Sequence, residues 1–187
     1  MIGARGETRM RRDAGGWISV AMVVTCALVT SVVPAGAATP PKPSAEVQTA
    51  TETFWRPAMS FLKSAHGQSS AVAKALANLN DGITTVNDIK AMILKARFVE
   101  NTAFQGEFRA KAKGDPPLDL MPLMTATEDV HERFQTSTAT ILDGWKGEAD
   151  SKVLENGIAA FKEMVIQLNA AVDTGNAWAK EHAASAK

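Results

Sequence analysis

Residues 84–113, TTVNDIKAMILKARFVENTAFQGEFRAKAK, decide the fold class. Val86, Ile89, Ile93, Ala96, Val99 and Ala103 recur every three or four positions. That interval repeats one face of an α-helix, whereas a half-buried strand needs strict alternation. Leu94 and Phe98 supply a second apolar seam, and the Phe104–Phe108 pair widens it. Thr84 or Thr85 opens the segment as an N-cap, where a hydroxyl accepts a backbone N–H left without an intrahelical partner. Arg109, Lys111 and Lys113 fall in the last turns, where cations oppose the partial negative charge of a helix end. Gly114-Asp115-Pro116-Pro117 stops the helix, since proline cannot donate and biases its predecessor to extended geometry.

The same periodicity extends to both sides. Upstream, Val47, Ala50, Phe54, Ala58, Phe61 and Ala65 keep phase straight through Pro57, which predicts one kinked helix between a Ser44 N-cap and a Gly67 C-cap. A shorter helix over about 70–80 turns Val72, Leu76 and Leu79 inward, and Asn80-Asp81-Gly82 closes it with turn chemistry. Downstream, a helix from Pro122 to Trp145 carries Leu123, Thr127, Val130, Phe134, Ile141 and Trp145. Proline suits its first position because that N–H is unpaired in any helix. A last helix begins near Asp150 with Leu154, Ile158, Phe161, Val165, Leu168 and Val172 on one face. Thr174-Gly175-Asn176 is expected to end or bend it before a frayed tail containing Trp178. The expected fold is all-α: an antiparallel, up-and-down four-helix bundle with a short additional helix, filling residues 44–187 as one domain.

The first 37 residues read as a cleaved secretory signal peptide. Arg5, Arg9, Arg11 and Arg12 precede an apolar run from Trp17 to Val33, and Ala35-Gly36-Ala37 fits a signal-peptidase site. Residues 38–43, with three prolines, form a stiff spacer. A periplasmic or secreted protein is therefore expected, with no integral membrane span once the leader is removed. The one cysteine, Cys26, lies within that leader, so the mature chain lacks disulfides, thiolate metal sites, covalent c-type haem and cysteine catalysis.

Twenty basic and twenty acidic side chains make the whole chain formally neutral. A neutral chain offers no support for nucleic-acid binding, which relies on a net basic surface. Charge is nevertheless unevenly spread. Residues 56–113 carry nine basic and four acidic groups, a net of +5, and residues 114–187 carry six and twelve, a net of −6. The simplest role for this asymmetry is to align the two helical pairs.

Glu128 and His131, three residues apart, fall on one helix face and suit a shared metal ion. Only one such motif is present, whereas carboxylate-bridged di-metal bundles use two. Met59, Met92, Met124 and Met164 lie on or beside apolar seams and read as core filling. The chain has no Gly-x-Ser-x-Gly elbow, no phosphate-cradling glycine loop and no His-Glu-x-x-His, so an enzymatic role has no motif behind it.

Arg56-Pro57-Ala58-Met59 near the start and Asn176-Ala177-Trp178-Ala179 near the end resemble, in architecture, the soluble b-type and c-prime four-helix cytochromes of the bacterial periplasm. The resemblance implies non-covalent haem b held by Met59 and, because Ala179 stands at the expected histidine position, by His182 one turn later. The covalent attachment motif Cys-x-x-Cys-His is absent. Trp55 beside Pro57, and Leu118, Leu120 and Met121 beyond Pro116-Pro117, are expected to expose apolar surface of the kind that marks contacts. The functional expectation is an exported, soluble, non-enzymatic bundle without a cofactor, monomeric or homodimeric, that binds a protein or envelope component. A haem-binding electron carrier and a metal-binding bundle are the alternatives.

Overall fold

A computed structural model describes residues 44–146 and 150–184, and the leader and spacer expected at 1–37 and 38–43 lie outside the described residues. Among the described residues there are four long helices and no strand. Helix α1 comprises Ala45–Ala50, a π-helical turn at Thr51–Trp55 and Arg56–Asn80. Helix α2 comprises Val86–Ala103 and a second π-helical turn at Phe104–Arg109. Helix α3 is Met121–Asp143 and helix α4 is Ser151–Ala184.

The helix starts follow their capping residues. Ser44 Oγ accepts from the Val47 N–H at 3.3 Å, and Asp150 Oδ1 accepts from the Lys152 and Val153 N–H groups at 3.0 and 3.1 Å. At α2, Thr85 Oγ1 accepts from the Asp88 N–H and an Asp88 carboxylate oxygen accepts from the Thr85 N–H, each at 3.2 Å. This reciprocal box satisfies two otherwise orphaned donors. The hydrogen bonds from the Thr85 side chain and backbone hold the Asp88 carboxyl below its ordinary range. A depressed carboxylate stabilises the fold above its unfolded pKa and loses that contribution as pH falls through its folded value. Acidification through that range is therefore expected to speed amide exchange in the first turn of α2. In Asp88→Asn the same amides should show no such pH-linked step.

The structure corrects three readings of the helix boundaries. Gly67 does not end a helix, and no separate short helix exists, because α1 runs unbroken to Asn80. Burial of Phe61, Ala65, Ser69, Val72 and Ala75 in one continuing stripe carries the helix through the exposed glycine. That burial outweighs the roughly 1 kcal/mol that glycine costs in a helix interior. At Pro57 the helix runs on as one element, as expected, and a π-helical turn stands immediately before the proline. Proline cannot donate and its ring crowds the carbonyl four residues back, and the widened turn bonds the Arg56 N–H to the Thr51 carbonyl. Gly175 likewise does not interrupt α4. The position its missing Cβ would take is filled by Met59 Sδ, so glycine here permits close approach of two helices.

The core is apolar and its few polar members are satisfied. Phe61, Leu62, Ile89, Ile93, Leu123, Phe134, Ile141, Met164 and Leu168 are fully enclosed. Ser69, Thr127 and Thr138 bond back to the carbonyls of Ala65, Leu123 and Phe134 on their own helices. Thr84 Oγ1 is the single buried side-chain oxygen or nitrogen without a partner among the described residues. Contacts between helices form ordered series. Phe61 of α1 meets Phe104 and Phe108 of α2. Between α2 and α3, Lys90 Nζ donates to the Trp145 carbonyl just past the end of α3, and Gln135 Nε2 donates to the Arg97 carbonyl. Between α3 and α4, Phe134 meets Phe161, and Ile141 lies against Gly157. Trp55 Nε1 of α1 donates to the Gly175 carbonyl of α4 at 2.7 Å.

Candidate functional site

Two features stand out from this framework: a buried polar pair between α2 and α3, and an uncovered apolar face on α2. Glu100 sits on the inward seam of α2, at the helical spacing set by Ile89, Ile93 and Ala96, and is fully buried. His131 Nδ1 lies 3.0 and 3.1 Å from its two carboxylate oxygens, and Gln135 Nε2 donates to one of them at 2.6 Å. Nδ1 of His131 and the Glu100 carboxyl group thus share a hydrogen bond, and Gln135 supplies a second one to the same carboxyl. The imidazole is stacked on Phe104 at 3.7 Å and meets Phe61 edge-on. The His131 side chain keeps 18% of its surface.

A carboxylate orienting an imidazole is the supporting half of many catalytic and metal centres. The other half needs a nucleophile, a second ligand or a substrate-sized recess beside Nε2. No group of three His, Cys, Asp or Glu side chains among the described residues is arranged to hold a metal ion. An open cleft of about 690 Å³ lies between the two π-helical turns, lined by Glu52, Arg56, Pro57, Ser60, Glu107 and Lys111. His131 is not among its lining residues. Lys111 and Glu107, four residues apart on the same wall, pair at 2.6 Å, with both side chains about half exposed. The pair is a surface ion pair, which contributes little. Glu100, His131 and Gln135 form a hydrogen-bonded polar network in the core, and such networks fix how two helices register.

The expected Glu128–His131 pair is not formed. Glu128 points outward and lies 4.0 Å from Arg109, while His131 turns inward to Glu100 on another helix. Three-residue spacing puts two side chains on neighbouring lines of a helix, and here the boundary between core and solvent falls between them. The signal for the true partner was present: Glu100 falls seven residues after Ile93, on the seam of α2.

Met59 and His182 are also held by other groups. Met59 packs against Gly175, two helical turns before His182 on α4. His182 Nδ1 lies 2.9 Å from the Trp178 carbonyl, its Nε2 lies 3.1 Å from Asp119 Oδ2, and its ring stacks on Trp178 at 4.2 Å. Both imidazole nitrogens thus lie within hydrogen-bond distance of protein oxygens. Of the remaining methionines, Met124 and Met164 are buried and Met92 is exposed.

The four expected contact residues divide. Leu118 is 91% exposed and Met121 also faces solvent. Trp55 is half-buried, packed on the core with its indole N–H bonded to Gly175. Leu120 is fully buried, which corrects its assignment to exposed surface. It is carried inward because the neighbouring Asp119 is anchored: Asp119 Oδ2 accepts from Trp178 Nε1 at 2.7 Å and contacts His182. The same clamp removes the frayed tail expected after Gly175, since Trp178 is buried and α4 continues to Ala184. In Asp119→Ala the indole N–H of Trp178 loses its acceptor. The expected results are a change in tryptophan emission and faster amide exchange from Gly175 to the end of α4, with the cores of α1–α3 unaffected.

The α2 face lies where sequence pattern alone misled. Leu94 and Phe98, read as a second core seam, are 56% and 71% exposed. The buried set of α2 is Ile89, Ile93, Ala96, Glu100, Phe104 and Phe108, and it uses only one side of the helix. Met92 adds a third large apolar side chain in solvent, and Lys95 lies exposed between it and Phe98. No described helix is long and apolar enough to cross a membrane. Compared with protein-family models, curated proteins and solved structures, the chain matches none of them.

Proposed function

We propose that the chain is an exported, soluble, non-enzymatic protein that works by binding a protein or envelope component, with the outer face of α2 as its binding surface. One observation carries this reading: Leu94 and Phe98 sit one turn apart in solvent on a helix whose opposite side is fully packed. Clustered exposed apolar side chains mark interaction sites, and an aromatic flanked by a cation has the composition of an interface anchor. Leu118 and Met121 extend the apolar surface at the loop before α3.

The four helices form an up-and-down antiparallel bundle in this proposal. Support comes from residue pairs whose numbers rise on one helix as they fall on the next, such as Lys90 with Trp145 and Arg97 with Gln135. The arginine-led leader, its apolar run and Ala35-Gly36-Ala37 support export to the periplasm or beyond with cleavage after Ala37. Protein recovered from cells expressing the full chain is expected to begin at Ala38 by mass spectrometry.

A photo-crosslinking residue at position 98 tests the binding role in whole cells. A discrete adduct is expected, and it should disappear when Leu94 is also changed to aspartate. An unadducted protein at this position, with a crosslink elsewhere on the surface, moves the function away from α2. No cofactor is part of the proposal. Haemin added to the purified protein is expected to keep the Soret spectrum of free haemin, and a band lost in His182→Ala would reinstate the electron-carrier reading.

A further inference from the structure

We infer that the partner of the α2 face is a second copy of this chain, engaged through the groove between α3 and α4. The inference rests on the binding role proposed for α2 and names its occupant. Two observations on the same molecule meet in it. One is a ridge: Leu94 and Phe98 project from α2, with exposed Lys95 beside them, in the half of the chain with net charge +5. The other is a groove of about 190 Å³ lined by Ala126, Asp129, Gln167, Ala170, Ala171 and Thr174.

The groove suits the ridge in size, chemistry and sign. Alanines on both walls leave an apolar trough, and a cavity of about 150 Å³ already admits a benzene ring, so one phenyl side chain fits. Ile166, 60% exposed, extends the apolar surface one turn from Ala170. Asp129 stands on one wall and Glu163 lies one turn before Gln167 on the other, within the half of net charge −6. Arg133 and Lys162 lie close in sequence against Asp129, Glu132, Glu163 and Asp173, so the local excess is two acidic groups and the contact depends chiefly on the apolar anchor. Seating Phe98 in the trough buries two apolar surfaces together and sets Lys95 toward the acidic rim.

Because ridge and groove are different surfaces, the contact is heterologous. Each copy offers one of each, so association proceeds head to tail and gives a ladder of sizes or a closed ring.

Sedimentation of the purified protein, recovered from cells expressing the full chain, is measured from micromolar to near-millimolar concentration at low and high salt. Mass is expected to rise with concentration and to fall only slightly with added salt, which screens the charges at the rim and leaves the apolar anchor in place. Phe98→Asp and Ala170→Asp alter only exposed positions, and each should weaken association by about tenfold or more, the size of effect seen when a central interface anchor is lost. Lys95→Glu and Glu163→Lys should each weaken it alone, while an equimolar mixture of the two recovers it, since both alternating contacts then pair opposite charges. A protein that stays monomeric throughout, or variants that associate like the parent, overturns the inference. The crosslinker at position 98 separates the two levels. An adduct with a different protein, or Phe98-dependent sedimentation with phosphatidylglycerol vesicles, overturns self-association and retains α2 as a binding face. No adduct and no vesicle binding removes both.

Discussion

His131→Ala is expected to destabilise the protein by about 2–3 kcal/mol, because it removes the main hydrogen-bond partner of the fully buried Glu100 side chain. Glu100 is fully enclosed, and after the substitution only Gln135 Nε2 remains on its oxygens. The lost stacking of the imidazole on Phe104 adds to the cost. Urea unfolding followed by circular dichroism measures the change. The paired replacement Glu100→Met with His131→Phe should recover most of it, since a buried hydrogen-bonded pair exchanged for packed apolar groups of the same shape is often neutral or better. Position 98 crosslinking in that double variant then decides the role of the pair. Retained crosslinking assigns Glu100 and His131 to the architecture, and loss of binding in a stable protein gives them a direct part in function.

Gly157→Val is the second large effect, a destabilisation of about 3 kcal/mol, at the upper end of what overpacking costs. A Cβ at Gly157 would stand 2.7 Å from the Ile141 nitrogen and 3.0 Å from the Thr140 carbonyl carbon. These are backbone atoms in the last turn of α3, so the contact is relieved only by moving the two helices apart there. Replacing glycine within a helix ordinarily gains up to about 1 kcal/mol, and that gain is smaller than the clash. Gly106 supplies the control. A Cβ there meets nothing within 4 Å, so Gly106→Ala should be neutral or stabilising. If both substitutions shift the urea midpoint equally, close approach at Gly157 is not what holds α3 to α4.

How much of this was legible in sequence depended on the range of the interaction. The seam of Ile89, Ile93 and Ala96 was visible because helical repetition is local, and so were the caps at Ser44 and at Thr84 or Thr85 and the start of the last helix near Asp150. Gly67 and Gly175 were misread as helix ends for a related reason. A glycine ends a helix only when nothing beyond it gains from continuing, and Val72 and Trp178 gain burial. Leu94 and Phe98 looked like core because periodicity finds apolar lines on a helix but does not say how many neighbouring helices receive them.

By itself, then, the sequence determined that the chain is helical, where most of its turns begin, and which face of each helix holds the main core. These follow from backbone geometry and side-chain spacing within a few residues. Tertiary structure alone decided that His131 pairs with Glu100 rather than Glu128, that Asp119 draws Leu120 inward and pins Trp178, and that one face of α2 remains bare. Those outcomes depend on which helices meet and at what height, a matter of distances between residues some thirty to sixty positions apart, to which local periodicity is blind.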